Sequence, residues 1–361
     1  MTLKQFFSRP FNLVCEHSYP NLYIGPGLYD DFSLAKESKP ANWIKTQISK
    51  IEQERSKEIF SFKSCNKLDA YSPKNELLDI QLITQAEDTA ELELELAKRK
   101  NYIKDDITGI SNYSYNINKL KVVSNIKVPA PIDRVVNDTD MKAIDGMVSL
   151  YNKLDDVYKI EQLLSVGLLG VRKNRVLVPT RWAITSVDDT IGRNIIDKIK
   201  QNTTIDKYEL YHFEFYKNKF YIILIPMNWG FEQIEVGSSD NMTCIDFEIN
   251  EPRKEYAYSV AGGYYASRLE IAKSLDNRKK MARVVVFRDI DMTYKSKGVW
   301  VVRETVKETM TKQPILFDSI DNLLVYLDKE LKIKHGSKFW SDKSNLLKDI
   351  KHQRRLSDFV S

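Results

Sequence analysis

Cysteine is scarce in this 361-residue chain: Cys15, Cys65 and Cys244 stand far apart, with no C-x-x-C pair and only His17 near Cys15. An odd, scattered set excludes a disulfide framework and a structural zinc site. Histidine is equally sparse, and His17, His212, His335 and His352 form no cluster in the sequence. Long apolar runs are missing too. No stretch approaches the roughly 18 apolar residues that span a bilayer, and residues 1–10 carry Lys4 and Arg9 with no apolar segment between them. A cytoplasmic protein without a membrane partner is expected. Charge of one sign is not in large excess either: 55 basic residues against 50 acidic ones leave +5, which permits contact with nucleic acid without requiring it.

What is present is ordinary globular composition, 42% hydrophobic and 29% charged, enough for a sizeable core. Arg9-Pro10, Tyr19-Pro20 and Gly25-Pro26-Gly27 punctuate the start, which reads as loop-rich around one short strand at residues 21–24. Pro40 followed by Trp43, Ile44, Ile48 and Ile51 predicts a helix. The Glu, Leu and Ala content of residues 87–100 predicts another, and residues 101–131 read as an extended connection. Helices are expected from Asp138 and over residues 157–166, ending at Gly167.

Strands are expected at residues 181–187, 208–216 and 219–227, the last two as a hairpin, and again at 283–289 and 298–304, with a helix over 257–275. No internal repeat is visible, and strands and helices mix without a βαβ rhythm. The expected fold is therefore α+β, a mixed sheet with packed helices in one composite body plus a flexible C-terminal tail.

Three segments carry candidate chemistry. Gln353, Leu356 and Phe359, with Val360 after them, have the spacing of a sliding-clamp box, glutamine, then an aliphatic residue, then an aromatic, each three on. Leu356 and Phe359 share one face of a short helical turn and suit an apolar pocket, with Gln353 hydrogen-bonding beside it. An ordinary amphipathic tail packed on its own domain is the alternative. Val360 replaces a second aromatic, which weakens the contact.

In the second segment, Asp188 and Asp189 follow the strand predicted to begin at Arg181. Paired carboxylates there suit acid/base work or a metal ion, or equally the cap of a helix over residues 191–200. The third is Gly262-Gly263-Tyr264-Tyr265 with Arg268 one turn later. Glycines at a helix start suit a phosphate, and tyrosine faces suit a base, although tight packing of a helix on a sheet accounts for glycine as well.

Taken together, the segment Ser18-Tyr19-Pro20-Asn21-Leu22-Tyr23-Ile24-Gly25-Pro26, residues 158–170, the run Leu177-Val178-Pro179-Thr180-Arg181-Trp182 through Asp188-Asp189, residues 260–268 and Gly298-Val299-Trp300-Val301-Val302-Arg303-Glu304 resemble the archaeal Nre family of DNA-repair proteins. The resemblance runs along most of the chain. It implies a role in repair of DNA damage, a tail that binds the PCNA sliding clamp, and two sequence regions meeting near residues 250–255: an N-terminal region of residues 1–250, a C-terminal region of 251–343 sharing its core, and a tail of 344–361. Some members begin with a cysteine-rich zinc module that this chain lacks, so no structural zinc is expected. A divalent metal stays open.

Two functions of different class follow. In one, the body is a hydrolase acting on a DNA lesion or nucleotide adduct, a nuclease or an enzyme removing ADP-ribose from DNA. Asp188, Asp189 and Arg181 are then catalytic, and Gly262, Gly263, Tyr264, Tyr265 and Arg268 form a nucleotide pocket with them. In the other, the body is a non-catalytic adaptor joining damaged DNA to the clamp.

Overall fold

A computed structural model describes residues 4–37, 39–104, 111–237 and 243–352. The chain divides into two compact units, residues 1–191 and 192–361. Strands and helices occur in both, and the fold is α+β. Among the described residues no helix is long and apolar enough to cross a membrane.

The first unit is built on β1 (Lys4–Ser18), β2 (Asn21–Tyr29), α1 (Phe32–Glu37), α2 (Ile48–Arg55), β3 (Ile59–Asn66), α3 (Glu76–Gln85), β4 (Glu91–Lys104) and β5 (Ser111–Val122), followed by α4 (Ala130–Asn137), α5 (Ala143–Leu154), α6 (Val157–Ser165) and α7 (Thr180–Ile199), whose last turns pass into the second unit. The five strands close into a barrel in the order β1-β2-β3-β5-β4, with β3 and β5 parallel and the other pairs antiparallel. Closure removes the sheet edges. The opening segment is thus a long strand where loops were expected. Pro10 falls where the pairing with β2 shifts register, between Ser8 and Asn12, the kind of irregularity at which a strand accommodates proline.

Residues 87–100 are likewise not a helix. The run Glu91-Leu92-Glu93-Leu94-Glu95 alternates with period two, buries Leu92 and Leu94, and sets Glu93 and Glu95 opposite Lys121 and Lys119 of β5. Cross-strand charge pairing and one-sided burial outweigh the helical propensity of Glu and Leu. The connection expected over 101–131 contains β5 and the start of α4. The helix expected from Pro40 is a 3₁₀ turn, Pro40–Lys45, followed by α2, and residues 138–142 form a turn in which the Asp138 carboxylate accepts from the Asp140 and Met141 amides. In α6, Asp156 caps the Lys159 amide at 3.0 Å, and Gly167 follows at φ +71°.

The Lys159 ammonium donates to the Thr84 and Ala86 carbonyls at 3.0 and 2.8 Å, at the C-terminal end of α3. Burial lowers its pKa from 10.5 to about 8. Between those two values the unfolded chain holds a proton that the folded chain has released, so stability rises with pH across that window. Urea unfolding at pH 7.5 and 9.5 is expected to show the unsubstituted protein gaining roughly 1–2 kcal/mol relative to Lys159→Met. A pH-independent difference would refute the shift.

The second unit holds a six-stranded mixed sheet in the order β11-β6-β7-β10-β8-β9. Its elements are β6 (Tyr208–Phe215), β7 (Asn218–Ile225), β8 (Gly230–Val236), β9 (Thr243–Ile249), α8 (Gly262–Asn277), β10 (Arg283–Ile290), α9 (Val299–Thr309), β11 (Ile315–Phe317), α10 (Ile320–Lys329), α11 (Gly336–Lys343) and α12 (Asn345–His352). The expected hairpin is present, turning at Tyr216 and Lys217, both at positive φ as a tight type I′ connection requires. The neighbouring strands β7 and β10 are apolar at consecutive positions, Ile222–Ile225 and Val284–Phe287, because helices cover both faces. Ile223, Val285, Phe287 and Ile234 meet Leu323, Leu327, Trp340, Leu346 and Leu347 in one core.

Residues 298–304, expected as a strand, begin α9. Trp300, Val301, Val302 and Val306 are all buried, and burial all round gives a helix the β-branched composition of a strand. Strands from both sides of residue 250 enter this one sheet, whereas the division between compact units falls inside α7. Within the tail expected over 344–361, residues 345–352 form α12 and Leu346 and Leu347 belong to the core, and residues 353–361 lie outside the described residues.

Candidate functional site

The segment from Arg181 to Asp189 lies wholly within α7, so there is no strand at 181–187 and the carboxylates stand neither after a strand nor at a helix start. Consecutive helical positions diverge by about 100°, which points Asp188 and Asp189 in different directions. Asp188 is fully buried and Asp189 half-buried, while Arg181 and Trp182 are exposed on the first turn.

The Gly262–Arg268 segment opens α8 in the second unit, starting later than the helix expected from 257. Side chains of β8 alternate between faces. Phe231, Gln233 and Glu235 approach α8, while Glu232 and Ile234 face α12 and the lower core. A Cβ built on Gly263 would stand 3.4 Å from the Glu235 carboxylate. The close approach that glycine permits is therefore made by an acidic side chain of the protein, favourably placed for the helix dipole.

Tyr264, Tyr265 and Arg268 are all buried. Arg268 pairs with Glu248 at 2.7 Å, its guanidinium lies 5.7 and 5.5 Å from the Tyr264 and Tyr265 ring centroids, and Trp229 donates to the other Glu248 oxygen at 3.1 Å. The Tyr265 hydroxyl accepts from the Ala257 amide, and burial pushes the Tyr264 hydroxyl well above the usual tyrosine range. The network is an interior brace holding α8 to β8 and β9.

A different cluster in the first unit is exposed. Tyr19, in the connection between β1 and β2, is 49% exposed and lies 5.5 Å from the ring of Trp182, itself 43% exposed. Lys67, directly after β3, donates to the Tyr19 hydroxyl at 2.9 Å and sits 4.8 Å from its ring centroid, and the Arg181 guanidinium lies 6.0 Å from the Trp182 ring. The backbone fixes this ledge. The Lys67 amide donates to the Pro20 carbonyl, and the Leu177 amide donates to the Lys67 carbonyl. Beside it runs the 3₁₀ turn Lys67–Tyr71, with Leu68 and Tyr71 exposed, and against that lies the turn bearing the exposed Arg172 and Lys173. Sequence reading found Arg181 but not this grouping. Its trace was the presence of Tyr19-Pro20 and Arg181-Trp182 within two of the family-like strings.

In the second unit the buried Glu232 carboxylate caps α12, accepting from the Asn345 amide at 2.8 Å, the Asn345 side chain at 2.9 Å, the Leu346 amide at 3.2 Å and the Ser344 hydroxyl. Arg283 holds Asp349 at 2.6 Å. The box residues Gln353, Leu356, Phe359 and Val360 lie outside the described residues. Among the described residues no group of three or more His, Cys, Asp or Glu side chains is placed to hold a metal ion.

Comparison with known proteins places these features in a family. The model of the archaeal Nre N-terminal region matches residues 5–242 and that of the archaeal Nre C-terminal region residues 248–359. The chain is 30% identical over 348 residues to the DNA repair protein NreA of Archaeoglobus fulgidus, covering 94% of this chain and 88% of that protein. It is 36% identical over 265 residues to NreB of the same organism (71% of this chain, 66% of that protein) and 34% identical over 225 residues to NreA of Haloferax volcanii (58% and 54%). No solved structure matches the chain. With both halves of the family matched in order and a relative aligned along nearly its whole length, the chain belongs to the archaeal Nre family.

Proposed function

We propose that this chain is a DNA-repair protein that docks on the PCNA sliding clamp through residues 353–360 and engages damaged or modified DNA with its folded body. The observation that carries this reading is the placement of the box. The spacing Gln353, Leu356, Phe359 follows directly on α12, which Glu232, Arg283 and the core hold to the sheet. A recognition segment attached to an anchored helix gains effective concentration for the second binding event without new contacts. The printed names of the relatives supply the DNA-repair context.

Calorimetry of the full chain against an archaeal PCNA tests the docking. Replacing both Leu356 and Phe359 by alanine removes the two pocket anchors and is expected to cost ~2 kcal/mol or more, about a thirtyfold loss of affinity. Unchanged affinity would overturn the assignment.

For the body, non-catalytic binding has the better support: Asp188 is buried inside a helix, and Arg268 is held by Glu248 in the interior. The hydrolytic reading assigns turnover to Asp189, Asp188 and Arg181, with Gly262, Gly263, Tyr264 and Tyr265 at the nucleotide. Incubating the protein with damaged, end-modified and ADP-ribosylated DNA, with and without a divalent metal, separates the two. Product that Asp189→Asn abolishes would establish the hydrolase and displace the adaptor.

A further inference from the structure

The barrel of the first unit has a specific topology. Five strands close in the order β1-β2-β3-β5-β4, β1 pairs with both β2 and β4, β3 runs parallel to β5, and α3 lies between β3 and β4 in sequence. That is the strand order of the oligonucleotide- and oligosaccharide-binding barrel, whose ligands lie on the face of strands 2 and 3 and against the loop joining strands 1 and 2. Topology alone does not assign a function. The second observation is what this chain places there: Tyr19 occupies the β1–β2 connection, Lys67 follows β3, and the Trp182 ring lies against Tyr19 at 5.5 Å, tilted by 54°.

We propose that this barrel binds single-stranded DNA, with Tyr19 and Trp182 as the platform for unpaired bases and Lys67, Arg172, Lys173 and Arg181 lining the path of the phosphates. Charge complementarity selects a polyanion, because Lys67, Arg172, Lys173 and Arg181 border the ledge while the turn Lys67–Tyr71 carries one acid, Asp69, whose carboxylate accepts from the Asn66 amide at 2.7 Å. Aromatic faces select unstacked bases, since the base faces inside a duplex are already covered. Exposure singles out Trp182: Trp43, Trp229, Trp300 and Trp340 are each 3% exposed or less, against 43% for Trp182. An aromatic ring with its cations, held in place by backbone hydrogen bonds from Lys67 and Leu177, is organised before the ligand arrives. The proposal rests on the repair reading only in taking DNA as the polyanion.

The test uses the full chain and a thymidine oligonucleotide of about 15 nucleotides, within the range that one such barrel occupies, compared with duplex DNA and uridine RNA of equal length. Tryptophan emission should be quenched by the single strand, and Trp182→Phe should remove most of that quenching while keeping affinity within a few-fold. Tyr19→Ala and Trp182→Ala should each weaken binding on the order of tenfold. Lys67→Gln should flatten the salt dependence of log affinity by about 0.7. Circular dichroism checks that each variant is folded, and Trp182→Phe keeps the test decisive should the alanine variant unfold. Unchanged affinity in folded Tyr19→Ala and Trp182→Ala proteins, duplex bound as tightly as the single strand, or RNA bound more tightly than DNA would each overturn the proposal. Clamp affinity, measured in parallel, is unaffected by these substitutions, so failure of this site and failure of clamp docking are read separately.

Discussion

The Gly25→Ala variant is expected to lose the barrel of the first unit. A Cβ at this position would lie 2.0 Å from the Ser61 carbonyl oxygen, 2.7 Å from its carbon and 2.9 Å from the Phe62 Cα. All three are backbone atoms of β3, so no side chain can swing aside. Nor can β2 move away, because it is paired on its other edge with β1, where Gly25 opposes Leu13, and the barrel is closed. The Ser61 hydroxyl holds the same approach, donating to the Pro26 carbonyl at 2.8 Å. Overpacking of this kind belongs among the rare single changes costing more than about 4 kcal/mol, a large part of a domain's net stability. Gly237→Ala is the control, since among the described residues nothing lies within 4 Å of its built Cβ, and it should change stability by less than about 0.5 kcal/mol. Urea unfolding followed by far-UV circular dichroism compares the two. Wild-type-like unfolding of Gly25→Ala would mean that β2 and β3 do not approach this closely.

The second large effect is expected from Glu232→Ala, with a loss of about 3 kcal/mol and release of α12 from the sheet. The carboxylate is fully buried and accepts from four donors around the start of the helix. Truncation leaves those donors without acceptors in the interior and opens a void beside Leu346 and Leu347. Glu232→Gln fits the space but turns an NH₂ group toward N–H donors, so it should fall between wild type and alanine. Amide hydrogen exchange over residues 345–352 measures the release directly. Exchange as slow as in the unsubstituted protein would remove Glu232 as the anchor. If the clamp reading holds, a folded Glu232→Ala protein keeps the box contacts but loses their fixed attachment to the body.

Local sequence signals fared well where the physics is local. The hairpin of β6 and β7, the helix α6 with its end at Gly167, and β10 lie close to where short-range patterns placed them. Errors arose where tertiary burial decided. The alternation in β4 was hidden by helix-forming residues, and the burial of α9 on several sides made Val299-Trp300-Val301-Val302 look like a strand, while the aromatic and β-branched residues of Trp182-Ala183-Ile184-Thr185 did the same at the exposed start of α7. The same ambiguity hid the setting of the candidate carboxylates, since Asp188 and Asp189 are consecutive positions of α7 and point in different directions.

By itself the sequence determined the α+β class, membership of the archaeal Nre family and the spacing of the box at Gln353, Leu356 and Phe359, since each is carried by composition or by contiguous residues. Only the tertiary structure decided what those residues face. Barrel closure depends on the parallel pairing of β3 with β5, which no local pattern announces. Glu235 and Glu248 come from strands distant in sequence to meet Gly263 and Arg268 at α8, enclosing residues that looked like a phosphate site. Tyr19 and Trp182 reach each other only because the chain segment before α7 is hydrogen-bonded to Lys67 at the end of β3. Side-chain type is local information, but burial and partnership are properties of contacts between distant segments, and those exist only once the chain has folded.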